Sequence, residues 1–218
     1  MVRRFDTVRG KYVEPIPEQR RFGFAHTDSN DLYDLVGWAE RGGYPGSTVL
    51  IYDFETGRVY EPFQKERDVL FANPAFADGE IVLLRGDFKD KTLTVLRWLP
   101  QTEPRQEAVL DLPEAAFSHL TVIGEGVNVV SHTDGQFTCY YPEPLSFPVD
   151  VSEYAVLREG DRLLFETWVE EGWDDENDRA TEDYNYYHLI RERDLRGNLL
   201  TEQVGSLTKA PDGTWWIV

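Results

Sequence analysis

"FDTVRGKYVEP" (residues 5–15) and "YDFETGRVYEP" (residues 52–62) say nearly the same thing at two places in one chain. Asp6, Gly10, Glu14 and Pro15 match Asp53, Gly57, Glu61 and Pro62 in order and spacing. Phe5/Tyr52, Lys11/Arg58 and Ile16/Phe63 are similar pairs at the same offset. Each copy reads as two short extended runs around a turn that contains Gly, which supplies the positive φ a tight reversal needs. A hairpin that recurs asks how often the unit repeats.

Helical periodicity is nearly absent from the rest of the chain. Short β-branched or aromatic runs fall at residues 32–36, 48–52, 81–84, 93–96, 127–130, 162–165 and 215–218, each bounded by Gly, Pro, Asp or Asn. That is the pattern of antiparallel strands joined by hairpins. Five turns precede such runs: residues 28–31, Ala77-Asp78-Gly79, residues 124–126, Glu159-Gly160 and Pro211-Asp212-Gly213. Over 218 residues this gives one turn about every 44 residues. Second hairpins follow within units, as at residues 46–62 and 186–204. The tail holds a first hairpin without a second, and the head a second without a first. Together they would make one four-stranded unit, with residues 2–15 laddered to residues 214–218, and closure would remove the exposed edges of the array.

The chain therefore resembles the β-propeller superfamily, with blades loosely like WD40 or TolB-type repeats. Residues 71–79, "FANPAFADG", are similar to the TolB-type pattern of an aromatic or apolar residue shortly before Asp-Gly. The Gly-His and Trp-Asp signatures of WD40 repeats are missing, apart from an isolated Trp173-Asp174. The resemblance implies an all-β, five-bladed propeller in a single domain, 1–218. Its blades would fall near 18–66, 67–112, 113–150, 151–204, and 205–218 plus 1–17. An irregular β-sandwich is the alternative fold.

The formal charge of −18 argues against nucleic acid, which needs a basic face to displace counterions, and against anionic membrane surfaces. It fits solubility and a basic protein or peptide as partner. Cys139 is the only cysteine, so no intrachain disulfide can form, and its strand-like setting predicts a buried, inert thiol. No apolar stretch reaches the length of a membrane span and no leader-like segment follows Arg3-Arg4, so a cytoplasmic protein is expected.

In a propeller the innermost strands line a central channel. Placed there are residues 22–26, 69–73, 116–120, 154–158 and 206–209. Their polar members give a candidate ligand site of His26, Asp28, Asn73, His119, Arg158 and Lys209. Five-bladed glycosidases set acids on inner strands of different blades. Here Asp28 or Asp31 could serve, but Asn73 and Ser118-His119 stand where further acids are needed, so no catalytic signature assembles. Asp28 and Asp31 in "HTDSNDLYD" (residues 26–34) are also candidate Ca²⁺ ligands, though Asp and Asn make turns for reasons of their own. No other cofactor is implied.

Residues 168–187, "WVEEGWDDENDRATEDYNYY", form the longest insertion, at the middle hairpin of the fourth unit. Trp168, Trp173, Asp174, Asp175 and Asp178 are the expected partner contacts, with the tyrosines as further anchors; a solvated loop of repelling charges is the plainer reading. The expected function is a non-catalytic binding or interaction module that uses one face of the ring. The alternative is a carbohydrate-active enzyme or lectin-like sugar binder, with its small ligand at the channel mouth.

Overall fold

The computed structural model describes every residue except Met1, Asn30, Glu40, residues 112–119, Glu125 and residues 211–213. Among the described residues the chain is all-β apart from one short helix, its strands lie in several antiparallel sheets, and none of these is closed. It divides into two compact units, Met1–Thr121 and Val122–Val218.

The first unit holds two sheets. Strands β1 (Glu14–Pro15), β2 (Phe22–His26), β3 (Val49–Asp53) and β4 (Arg58–Tyr60) pair in chain order. In the second sheet, β5 (Val69–Phe71) and β6 (Ala75–Ala77) both pair with β7 (Glu80–Asp87), which continues to β8 (Thr92–Trp98) and β9 (Arg105–Asp111). Asp78 and Gly79, at φ 53° and 80°, make the tight turn from β6 to β7, as the Asp-Gly pair predicts. Phe22, Phe24 and Ile51 from the first sheet pack against Phe71, Ile81 and Trp98 from the second. Each such side chain contributes about 1.5–3 kcal/mol by leaving water.

β3 is buried along its whole length, because its other face is covered too. Phe5 and Val13 pack on Leu50 and Tyr52. The Phe5 ring lies 5.1 Å from the ring of Tyr52, its own counterpart in the sequence repeat. The Asp6 amide donates to the Gly57 carbonyl at 2.8 Å, the Asp6 carboxylate accepts from the Val59 amide at 3.0 Å, and Arg9 pairs with Glu61 at 2.9 Å. Gly23 permits this approach: a Cβ there would sit 2.8 Å from the Glu14 carbonyl oxygen. The two similar segments are thus neighbours within one unit. The head forms no hairpin of its own; only β1 is a strand, and it pairs with β2.

The second unit begins with β10 (Thr121–Ile123), at the boundary, then β11 (Asn128–Thr133), β12 (Gln136–Tyr141) and β13 (Leu145–Pro148), again in chain order. The next sheet is β14 (Glu153–Glu159), β15 (Arg162–Asp174), β16 (Arg179–Asp194) and β17 (Leu199–Val204). Phe137, Phe147 and Phe165 form a ring cluster between them, with centroids 5.1 to 6.1 Å apart. Cys139 is buried in the same core, and burial pushes its thiol up from the ordinary value. Finally β18 (Leu207–Lys209) and β19 (Trp215–Ile217) pair only with each other among the described residues.

Two expectations need correction. The predicted ladder between head and tail does not form among the described residues: β1 and the β18–β19 pair belong to separate sheets. The physical reason is that the head's apolar side chains and polar groups are already used on the first sheet. Residues 32–36 are no strand either; Asp34–Ala39 form helix α1. The Asp31 carboxylate accepts from the Tyr33 and Asp34 amides, and the Asp34 carboxylate accepts in return from the Asp31 amide. That reciprocal cap starts a helix where an apolar run alone suggests extension.

Candidate functional site

Of the six expected channel residues, the first unit joins two. His26 ends β2, Asn73 follows β5, and His26 Nε2 lies 2.9 Å from Asn73 Oδ1. Asp28 sits in the bend after β2. Arg158 and Lys209 belong to the second unit, where both have local partners. Arg158 donates to Asn128 Oδ1 and the Gly160 carbonyl, and Lys209 lies 5.2 Å from the centre of the Trp215 ring. His119 lies outside the described residues. Asp31 caps α1, and among the described residues no group of three or more His, Cys, Asp or Glu could hold a metal ion.

The expected partner contacts are built differently from a loop. β15 and β16 run past their outer neighbours, which stop at Thr167 on one side and Leu189 on the other. Beyond that point the two strands, among the described residues, pair only with each other, as a ribbon: Trp168 opposite His188, Val169 opposite Tyr187, Glu170 opposite Tyr186, Glu171 opposite Asn185. A bulge at Gly172 then re-aims the chain, and Trp173 comes opposite Ala180. Gly172 has φ 71°, and a Cβ there would lie 2.7 Å from the Asp183 carbonyl oxygen, so only glycine fits.

Side chains opposite one another share a face of a strand pair. The ribbon accordingly carries a continuous row of rings. Trp168 lies 6.4 Å from Tyr186, Tyr186 lies 6.5 Å from Tyr184, and Tyr184 lies 5.9 Å from Trp173. Each pair contributes about 0.2–1 kcal/mol. That helps to order the ribbon, since two strands alone are marginal in water. Yet the rings are not spent on each other: Trp168 is 47%, Trp173 40% and Tyr186 61% exposed.

Carboxylates surround this row. Residues 168–187 hold eight Asp or Glu against the single Arg179. Tyr184 donates to Glu170 at 2.7 Å and Tyr187 to Glu171 at 3.1 Å, and these bonds raise both phenol pKa values. At the tip the Asn177 side-chain amide donates to Asp174 at 2.8 Å and holds that carboxyl below its ordinary range. Asp175, Glu176 and Asp178 are exposed.

Buried carboxylates tie down the root of the ribbon. Buried Glu166 accepts from the Tyr154 hydroxyl at 2.5 Å, the Ser206 hydroxyl at 2.9 Å and the Leu207 amide. Burial and the Glu166 bond push Tyr154 up to about 12. Arg193 grips fully buried Glu153 with Nε at 2.7 Å and Nη2 at 2.9 Å, and Arg191 adds a third contact at 3.3 Å. Burial alone would raise Glu153; the Arg193 fork, the Asp150 amide and Arg191 outweigh it and lower its pKa. Neither Glu166 nor Glu153 was distinguishable by sequence from the surrounding acids. Tyr184, Tyr186 and His188 do show the period-two alternation of a strand, which is the signal that marks this stretch as ribbon.

Comparison with known proteins finds no family model, no curated protein and no solved structure that matches this chain. No helix among the described residues is long and apolar enough to cross a membrane.

Proposed function

We propose that this chain is a non-catalytic binding module whose contact surface is the β15–β16 ribbon, and that its ligand is a Lys/Arg-rich segment of a partner protein. One observation carries the reading: a row of four rings, of which Trp168, Trp173 and Tyr186 are exposed, lies on a ribbon with eight acids and one arginine. A guanidinium or ammonium group over an aromatic face gains about 0.5–2 kcal/mol. The surrounding carboxylates steer a basic segment in and exclude acidic ones. Among the described residues no strand flanks either edge of the ribbon, so an extended segment can add to it through main-chain hydrogen bonds. The contact requires no metal, and a cytoplasmic setting goes with a lone, buried thiol.

A twelve-residue Arg/Lys-rich peptide, titrated by calorimetry at low and high salt, tests this. Binding should weaken steeply with salt. Trp168→Ala and Trp173→Ala should each weaken it about tenfold. A variant with residues 172–183 replaced by a two-residue turn should fold and not bind. Equal peptide affinity for that shortened variant, or for both tryptophan variants, would sink the reading.

The rings also favour a second reading, a lectin-like contact with carbohydrate, since sugars stack on aromatic faces. Binding of a neutral oligosaccharide that persists at high salt and is lost with Trp168→Ala would replace the first reading. As to architecture, we read the four-stranded sheets as propeller-like blades. Their up-and-down order supports that, and ring closure through head and tail is not part of it.

A further inference from the structure

The first unit holds an open cleft of about 760 Å³, within the roughly 300–1,000 Å³ of small-molecule sites. It lies at the rim where its two sheets face one another. Phe22, Asp53 and Arg58 stand opposite one another across β2, β3 and β4, and Phe24, Ile51 and Tyr60 form the next row on the same face. Phe24 and Ile51 are buried core; Arg58 and partly buried Tyr60 emerge into the cleft beside Arg21. Phe76, Gly79 and residues 99–101 form the opposite wall.

We propose that this cleft binds a small organic oxyanion, a carboxylate or phosphate monoester, carried on a planar aromatic body. In a chain with 40 acidic and 22 basic residues, the lining has two arginines and no carboxylate. Asp53, the acid nearest in register, is already engaged: Arg21 Nε and Nη2 donate to it at 3.1 and 2.7 Å. That grip, with Glu55 3.4 Å from Nε, leaves the Arg21 Nη1 donors without a partner among the described residues. The Arg58 guanidinium and the Tyr60 hydroxyl have no hydrogen-bond or ion-pair partner among the described residues. A guanidinium fork matches the two oxygens of a carboxylate or phosphate. Phe22 and Phe76 supply apolar walls for a ring, while Arg21 is held over Phe22, 4.9 Å from its centre.

The walls are set before any ligand arrives. Gln19 donates to the carbonyls of Ile16 and Phe22 at 2.6 and 2.8 Å, and accepts from the amides of Arg21 and Phe22. Opposite, the Thr102 hydroxyl donates to the Leu99 carbonyl at 2.8 Å, and Trp98 Nε1 donates to the Thr102 carbonyl. A site that needs no ordering loses less on binding.

Titration of the full-length chain with phenyl phosphate and with benzoate, followed by calorimetry and by amide shifts, tests the assignment; benzamide and benzyl alcohol are the neutral controls. At least one anion should bind saturably and more tightly than either neutral ring, and the tighter of the two identifies the head group. Arg58→Gln should weaken it about tenfold, as expected for a lost bond to a charged group, at an unchanged melting temperature. Tyr60→Phe should weaken it severalfold, and shifts should map to β4 and residues 99–101. No saturable binding of either anion, equal binding of benzamide, or an unchanged affinity in Arg58→Gln would overturn it. Failure here leaves the ribbon reading untouched, because the two sites share no residue.

Discussion

Asp53 is a buried carboxylate with most of its capacity filled. Besides the Arg21 fork, it accepts from the Glu55 and Thr56 amides at 3.0 and 3.2 Å. Burial would raise its pKa, but these bonds win and bring it to about 2. A group depressed in the folded state stabilises above its unfolded pKa, near 4, and loses that contribution as pH falls through its folded value. Asp53 should therefore contribute about 2 kcal/mol at neutral pH that disappears between roughly pH 4 and pH 2. Urea unfolding from pH 6 to pH 2 should show this fall in the native chain, with a shallower one in Asp53→Asn. Equal slopes would refute the assignment. In the sequence Asp53 is one of forty acids, and its match to Asp6 in the repeat is visible. The match does not reveal that the two residues do different work: Asp53 organises its own turn, whereas Asp6 receives an amide from the other copy.

Among the elements, residues 168–187 stand out in the sequence by their tryptophans and charge, but not as a pair of strands. Charge density suggests a solvated loop, and the cross-strand rings that order it become neighbours only once the register is set. Gly172→Ala should break that register, because the added methyl meets backbone and the φ is left-handed. Amide exchange at residues 173–187 should quicken, while the melting temperature of the chain stays nearly unchanged. A different outcome is expected beneath the ribbon's sheet, where Phe165 is fully buried between Phe137 and Phe147. Phe165→Ala should cost about 3–5 kcal/mol, read from denaturant midpoints. The strand expected at residues 32–36 failed for the opposite reason from the ribbon. There the decisive signal was polar and local, the Asp31–Asp34 cap, and apolar content outweighed it in the reading.

For the whole chain, each sheet is drawn from one contiguous stretch of sequence, and β1 (Glu14–Pro15) joins the first sheet although it precedes residue 18. β5 to β9 fall within 67–112, β10 to β13 within 113–150, and β14 to β17 within 151–204. Turn chemistry is local, so Asp-Gly and Gly spacing discloses it. Which surface the head covers depends on distant partners, and there the repeat misled: similarity put the two copies in equivalent places, while Phe5 and Tyr52 in fact touch. With a net charge of −18, mutual repulsion opposes compactness. Raising salt from about 10 to about 150 mM shortens the screening length from about 30 to about 8 Å. The melting temperature should rise by a few degrees over that range; a fall would show that attractive ion pairs dominate instead. The lone sulfhydryl at Cys139 offers an internal clock. Hidden in the core and with its proton held more firmly than usual, it should ignore maleimide until the surrounding strands part. Its alkylation rate then times the opening of that core, and a second cysteine engineered elsewhere can be tagged alone in the native protein.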